Sequence, residues 1–152
     1  MRRRRAGRAS GLIRRLTPRW RLRATSAALV LPILVHLAPM TRLVRWAAPA
    51  RMRYPDDPTV DDRALAEWVD RVLSRLPPPW RGTCLKRAVV LYHLLYRAGR
   101  PVELTIGVRR DAGGALAAHA WLVRDGAPYL EPGREPVERF QVLTTFHPES
   151  TP

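Results

Sequence analysis

The stretch TCLKRAVVLYHLLYRAGR, residues 83–100, decides how this chain folds. Its apolar residues recur at the three- and four-residue spacing of a helix that buries one face. Thr83 is suited to cap the start of this helix, and Gly99 is suited to stop it. The spacing therefore predicts a helix that begins at Cys84, the only cysteine of the 152 residues.

The position of Cys84 at a helix start favours a reactive thiolate. The unpaired backbone N–H groups and the positive end of the helix dipole both stabilise the thiolate over the thiol. A single cysteine excludes an internal disulfide, and no Cys/His cluster has metal-ligand spacing, so we expect neither a metal nor a cofactor. We expect a cytoplasmic protein, since an exposed nucleophilic thiol would be oxidised outside the cell. Taken alone, a lone cysteine is more often a small buried apolar residue.

The segments around this helix predict an α+β fold. A helix precedes it, with Thr59 as the expected N-cap and Pro77 as the stop. After Gly99 the apolar period changes from helical to alternating. The expected strands are Val102–Val108, residues 115–123, Pro128–Glu131 and, less clearly marked, Phe140–Phe146. Helices followed by an antiparallel meander are typical of the α+β class.

The charge of the chain lies at one end. Residues 1–55 hold 14 arginines and no acid, whereas residues 56–152 hold equal numbers of basic and acidic side chains. We interpret residues 1–20 as a disordered Arg-rich tail, 21–55 as a hydrophobic helical segment and 56–152 as the catalytic domain. No nucleic-acid-binding motif accompanies the arginines, so no nucleic-acid partner is expected. Residues 21–53 are expected to pack on the domain, on a partner protein or on a membrane surface.

A thiol nucleophile needs a base, and the base needs a group that orients it. His119 is the candidate base and Glu131 the candidate orienting acid. A two-residue loop at Asp125-Gly126 would set His119 opposite Pro132 and point Glu131 to the other face of the sheet. A three-residue loop starting at Arg124 would set His119 directly across from Glu131. The sequence permits both turns; we predict the three-residue loop, with positive φ at Gly126.

Several stretches together resemble one protein family. They are Cys84-Leu85-x-Arg87-Ala88, Leu104-x-Ile106-Gly107-Val108 and Ala118-His119-Ala120-Trp121-Leu122-Val123. Over about residues 25–145 the chain resembles the lasso peptide biosynthesis B2 proteins, which are similar to the C-terminal half of the microcin J25 processing protein. The resemblance implies a transglutaminase-like (papain-like) cysteine protease fold.

The resemblance also implies an activity and partners. It implies a cysteine leader peptidase that cuts the leader from a ribosomally made lasso precursor peptide before macrolactam cyclisation. The implied partners are a leader-binding B1 (RRE) protein and an ATP-dependent lasso cyclase. Cys84 and His119 match the family's nucleophile and base, while Glu131 stands where an aspartate is more usual, so Asp125 and Glu135 are the fallback acids.

Two other functions agree with the same residues. One is a transglutaminase or acyltransferase on the same fold, in which an amine replaces water as the acceptor. The other is a non-catalytic adaptor that binds a membrane or acidic partners through its basic residues 1–53.

Overall fold

The computed structural model describes residues 16–49, 54–78, 80–81, 83–133 and 136–148, and the predicted α+β class is confirmed. Four helices come first: α1 Pro18–Leu37, α2 Met40–Ala47, α3 Asp62–Arg75 and α4 Cys84–Arg97. Four strands follow: β1 Glu103–Arg110, β2 Leu116–Arg124, β3 Ala127–Tyr129 and β4 Gln141–Phe146, with a 3₁₀ turn at Val137–Arg139 before β4.

Polar caps set the starts of α3 and α4. The carboxylate of Asp61, not the predicted Thr59, caps α3 by accepting from the backbone N–H of Ala64 at 2.9 Å. Thr59 instead donates to Asp57 in the preceding turn. Thr83 caps α4 as predicted. An Asx side chain caps as well as threonine does, so a sequence rich in both leaves the choice open.

Gly99 ends α4 with positive φ, as its predicted role requires. Its φ is +76°, and a Cβ placed there would lie 2.4 Å from the carbonyl carbon of Pro55. Any other residue would meet both a strained backbone and a steric clash. The end of α4 and the close approach of Pro55 therefore both require a glycine at position 99.

The central helix of the fold is α4. Its residues Val89, Val90, Leu91 and Tyr92 are fully buried, although four consecutive residues point in four directions around a helix. Helices α1 and α3 pack on α4 from one side, and β2 packs on it from the other. This enclosure holds the whole helix, and with it Cys84, in a fixed place.

The helix α1 belongs to the same core. It begins at Pro18, so residues 18–20 are helical and the prediction of a disordered tail up to residue 20 is wrong there; residues 1–15 lie outside the described residues. Trp20 is 1% exposed, and its indole N–H donates to Asp57 at 3.0 Å. This contact joins the predicted hydrophobic segment to the chain that follows it. Within the described residues no helix meets the length and apolarity that a membrane span requires.

The four strands form one antiparallel sheet in the order β3-β2-β1-β4. Leu104, Ala120 and Leu122 point into the core shared with the helices. Trp121 and Phe140 are buried outside that core, and Trp121 lies over Gly107, where an added Cβ would be 2.8 Å from its ring. Because side chains alternate along a strand, His119 is on the same face as Trp121.

The turn between β2 and β3 differs from the prediction. Arg124 pairs with Ala127, so the loop has two residues, and the predicted three-residue loop is wrong. Asp125 and Gly126 both have positive φ, 51° and 75°, which defines a type I′ turn and confirms the prediction for Gly126. Type I′ turns match the twist of the strands they join, and aspartate tolerates the left-handed conformation.

Candidate active site

Cys84 occupies the first position of α4, where the backbone N–H groups have no partner within the helix. Its Sγ lies 4.0 Å from the carbonyl oxygen of Ala118, the residue before His119. Ala118 belongs to the part of β2 that extends past β3, because β3 pairs only with Leu122–Arg124. The thiol is partly exposed and therefore accessible to a substrate.

Aromatic rings fix the imidazole of His119. The ring stacks on Trp121, with centroids 5.7 Å apart and an angle of 18° between the planes. The ring of Phe140, the residue before β4, lies 5.2 Å away on a tilted plane. Since the side chain is only 15% exposed, these contacts leave it little rotational freedom.

Glu131 meets the imidazole by a route the sequence did not predict. Its Oε2 lies 3.2 Å from Nε2 of His119. With a two-residue turn, continued strand geometry would point Glu131 away from His119. However, β3 ends at Tyr129, and Leu130 has a φ of 56°, which interrupts the alternation. A left-handed leucine costs about 1–2 kcal/mol, so the surrounding structure must hold this conformation.

A cluster around Asp62 holds the end of β3. The hydroxyl of Tyr129 donates to Oδ2 of Asp62 at 2.5 Å, and Arg124 from the end of β2 approaches the same oxygen at 3.4 Å. Arg100 pairs with the other carboxylate oxygen. Burial, followed by the hydrogen bond to Asp62, raises the pKa of Tyr129, which keeps the hydroxyl a donor. The cluster anchors the chain two residues before Glu131.

Sequence reasoning missed this cluster. In the sequence, Asp62 is only an acid in the first turn of a helix, a position where it complements the helix dipole. Its partners lie 38, 62 and 67 residues further along the chain. No local pattern connects residues at such separations, so the sequence carried no signal for the cluster.

Of the three predicted site residues, the structure joins the side chains of Glu131 and His119, while Cys84 meets β2 at the backbone of Ala118, one residue before His119. Glu131 uses Nε2 of His119, which leaves Nδ1 as the nitrogen available to a thiol. Among the described residues no hydrogen bond joins Sγ of Cys84 to the imidazole. Nucleophile–base hydrogen bonds are often long without substrate, so this geometry is compatible with a catalytic pair.

The fallback acids do not replace Glu131. The side chain of Asp125 is 94% exposed in the turn and lies 3.8 Å from Arg124. Glu135 lies outside the described residues. Glu131 is thus the carboxylate that the structure sets against His119.

The other histidines lie elsewhere. His93 on α4 has Nδ1 2.6 Å from the carbonyl oxygen of Ala47, and His147 pairs with Glu103 at 3.1 Å. His36 is exposed on α1. The described residues contain no cluster of three or more His, Cys, Asp or Glu side chains arranged to hold a metal ion.

The loop before Cys84 is attached to α1. The indole N–H of Trp80 donates to the carbonyl oxygen of Leu29 at 2.8 Å. Pro32 lies three residues after Leu29, and a proline weakens the helical hydrogen bonds of the preceding turn. The Trp80 indole therefore fixes the loop before Cys84 against α1.

Comparison with known proteins agrees with this architecture. A profile described as the transglutaminase-like superfamily matches residues 19–145, from the start of α1 into β4. Neither a curated protein nor a solved structure gives a significant match to the chain. Enzymes of this superfamily are often cysteine proteases or transferases. Since the match covers most of the chain, the protein belongs to the transglutaminase-like superfamily.

Proposed function

We propose that this protein is a cysteine leader peptidase that removes the leader from a ribosomally synthesised lasso precursor peptide before macrolactam cyclisation. One observation supports the catalytic part of the proposal: the carboxylate of Glu131 lies 3.2 Å from Nε2 of His119, and the thiol at the capped start of α4 lies 4.0 Å from the carbonyl oxygen of the preceding residue, Ala118. The resemblance of the Cys84, Ile106-Gly107 and His119 stretches to the B2 proteins supports the substrate class.

Each of the three side chains has a separate task in the proposed reaction. Glu131 accepts the Nε2 proton of His119, which leaves Nδ1 to act as the base for the thiol. Nδ1 takes the proton of Cys84, and the thiolate attacks the carbonyl carbon of the scissile bond. The backbone N–H of Cys84, at the N-terminus of α4, stabilises the resulting oxyanion.

The remaining steps release both products. The imidazolium donates its proton to the leaving amine, which frees the core peptide with a new N-terminus. Water, deprotonated by the same imidazole, then hydrolyses the thioester and releases the leader with a carboxyl terminus. A separate B1 (RRE) protein holds the leader, and an ATP-dependent cyclase consumes the free amine. We place the enzyme in the cytoplasm.

The test is mass spectrometry of a synthetic lasso precursor incubated with the full chain, with and without a leader-binding protein. We expect a free core peptide and an intact leader. Cys84→Ala should lower the rate by about a thousandfold or more, because the nucleophile is lost. Ser74→Ala, at an exposed helix position, is the matched control for a small polar side chain.

Two results would reject the peptidase. An amide adduct between the leader and an added amine would assign acyl transfer instead. Unchanged cleavage by the Cys84→Ala variant would remove the thiol from the mechanism, and with it the enzyme assignment.

A further inference from the structure

The helix α1 has apolar side chains on two opposite faces. The inner face packs on the core through Trp20, Ala24, Ala28 and Leu31. The outer face carries five exposed large apolar residues, which we call the outer stripe: Leu22, Leu29, Val30, Ile33 and Leu37. A helix on the surface of a globular protein normally has polar residues on its outer face. The outer stripe is therefore not explained by the fold of this chain.

The outer stripe is continuous. Its members follow the three- and four-residue spacing of one helix face, interrupted only by Ser26 and His36. Leu22 is 70% exposed and Leu37 is 75% exposed, so the stripe is open at both ends. The 20 residues of α1 span about 30 Å, so the outer stripe is an extended apolar surface and not a single exposed side chain.

Positive charge and an exposed aromatic ring accompany the outer stripe. Arg19 is exposed at the start of α1 on the same face. After α1, the helix α2 exposes Arg42, Arg45 and Trp46, the last to 57%. No carboxylate occurs anywhere in residues 1–55. Helices α1 and α2 thus carry positive charge and no acid of their own, which favours contact with anionic surfaces.

We propose that α1 and α2 bind the surface of an anionic lipid bilayer, with the outer stripe in the acyl boundary. Arginines, an interfacial tryptophan and an apolar helix face are the features of helices that lie in the plane of a membrane. Each arginine near an anionic leaflet adds to the attraction. Since both helices carry arginines and neither carries an acid, an anionic lipid surface matches their charge better than a mixed-charge protein groove does. This inference does not depend on the peptidase activity.

The experiment is co-sedimentation of the full chain with vesicles. One set contains phosphatidylcholine alone, and the other contains about one quarter phosphatidylglycerol. We expect binding to the anionic vesicles, weaker binding to the neutral ones, and a loss of binding as salt rises. Replacement of Leu22, Val30, Ile33 and Leu37 by serine should lower the partition coefficient about tenfold or more.

Matched variants distinguish vesicle binding through the outer stripe from non-specific adsorption of the protein. The apolar control replaces Leu116, Val142 and Leu143 by serine, since these are equally exposed but lie on the sheet. Arg42→Gln with Arg45→Gln should lower the partition coefficient about tenfold, whereas Arg110→Gln with Arg139→Gln should not. Circular dichroism confirms that each variant is folded. Cys84→Ala should bind vesicles as the wild type does, which keeps this test separate from the catalytic one.

Three results would overturn the proposal. The first is no binding of the wild type to anionic vesicles at low salt. The second is equal loss of binding in the sheet control and the stripe variant. The third is a wild-type dimer that the serine substitutions in the outer stripe convert to a monomer, without vesicle binding; that result would assign the stripe to a second copy of the chain.

Discussion

The helices α1 and α4 are both rich in apolar residues, yet the fold covers them to very different extents. On α4 the residues Val89, Val90, Leu91 and Tyr92 are fully buried. On α1 the exposed fraction reaches 75% at Leu37. The difference follows from position: α4 packs on both helices and strands, whereas the outer face of α1 is contacted at Leu29 by the Trp80 loop and is open at both ends.

This contrast separates two uses of apolar surface. Burial around α4 stabilises the fold and fixes Cys84 at the end of a rigid helix. At the two ends of the outer face of α1, Leu22 and Leu37 remain 70% and 75% exposed, so their burial contributes little to folding. We infer that the first helix connects the protein to its surroundings and the fourth organises its chemistry. Three measurements test this difference between α1 and α4.

The largest expected effect is on the free energy of unfolding, when one leucine of α4 and one leucine of α1 are each replaced by alanine. Leu91→Ala should lower the free energy of unfolding by about 2–5 kcal/mol, because it leaves a cavity at a fully buried position. Leu22→Ala, at a position 70% exposed, should change it by no more than about 0.5 kcal/mol. Urea unfolding followed by circular dichroism measures both values. Similar losses in the two variants would show that α1 is covered on both faces and would contradict the division.

The second-largest effect tests whether catalysis by Cys84, at the start of α4, depends on the contact between Glu131 and His119. Glu131→Gln should lower kcat for precursor cleavage about 10- to 100-fold with little change in KM, since the amide holds His119 less well and does not stabilise the imidazolium.

Glu138→Gln is the matched control for this substitution. Glu138 is exposed in the 3₁₀ turn, and its substitution should leave both kinetic constants unchanged. Wild-type kinetics in Glu131→Gln, with a fold as stable as the wild type, would remove Glu131 from the site.

The smallest effect concerns one histidine from each helix. Burial lowers the pKa of His93 on α4 below its ordinary value of 6.5, and the nearby Arg97 adds to this, while the hydrogen bond to Ala47 opposes it. The unfolded chain then binds more protons than the folded one below about pH 6.5. Stability should be fully present above that pH and fall as pH decreases, by at most about 1.4 kcal/mol per pH unit.

Urea midpoints at about pH 7.5 and about pH 5.5 measure this loss. His93→Gln should reduce the difference between the two midpoints, and His36→Gln, which removes an exposed histidine from α1, is the control. An unchanged difference in His93→Gln would show that other groups cause the pH dependence.

The sequence predicted the elements better than their connections. Helix α4 began at Cys84 and stopped before Gly99 as expected, because caps and apolar spacing act within a few residues. The strands were located to within a few residues for the same reason. The cap of α3 was misplaced by two residues, since Thr59 and Asp61 are both good capping residues.

The geometry that joins His119 to Glu131 could not be predicted from the sequence. The expected three-residue loop would have set them opposite each other through regular pairing. The actual two-residue loop does not, and the contact arises because Leu130 takes a left-handed conformation after β3 ends. Nothing in a leucine predicts positive φ; the bonds from Tyr129 and Arg124 to Asp62 hold the adjacent chain.

By itself, the sequence determined which residues are helical or extended and that a thiol stands at a helix start, because these properties depend on neighbours one to four positions apart. Only the tertiary structure decided which carboxylate reaches the imidazole and which face of α1 remains open. Both depend on contacts between residues far apart in the chain, where packing and not local preference sets the lowest free energy.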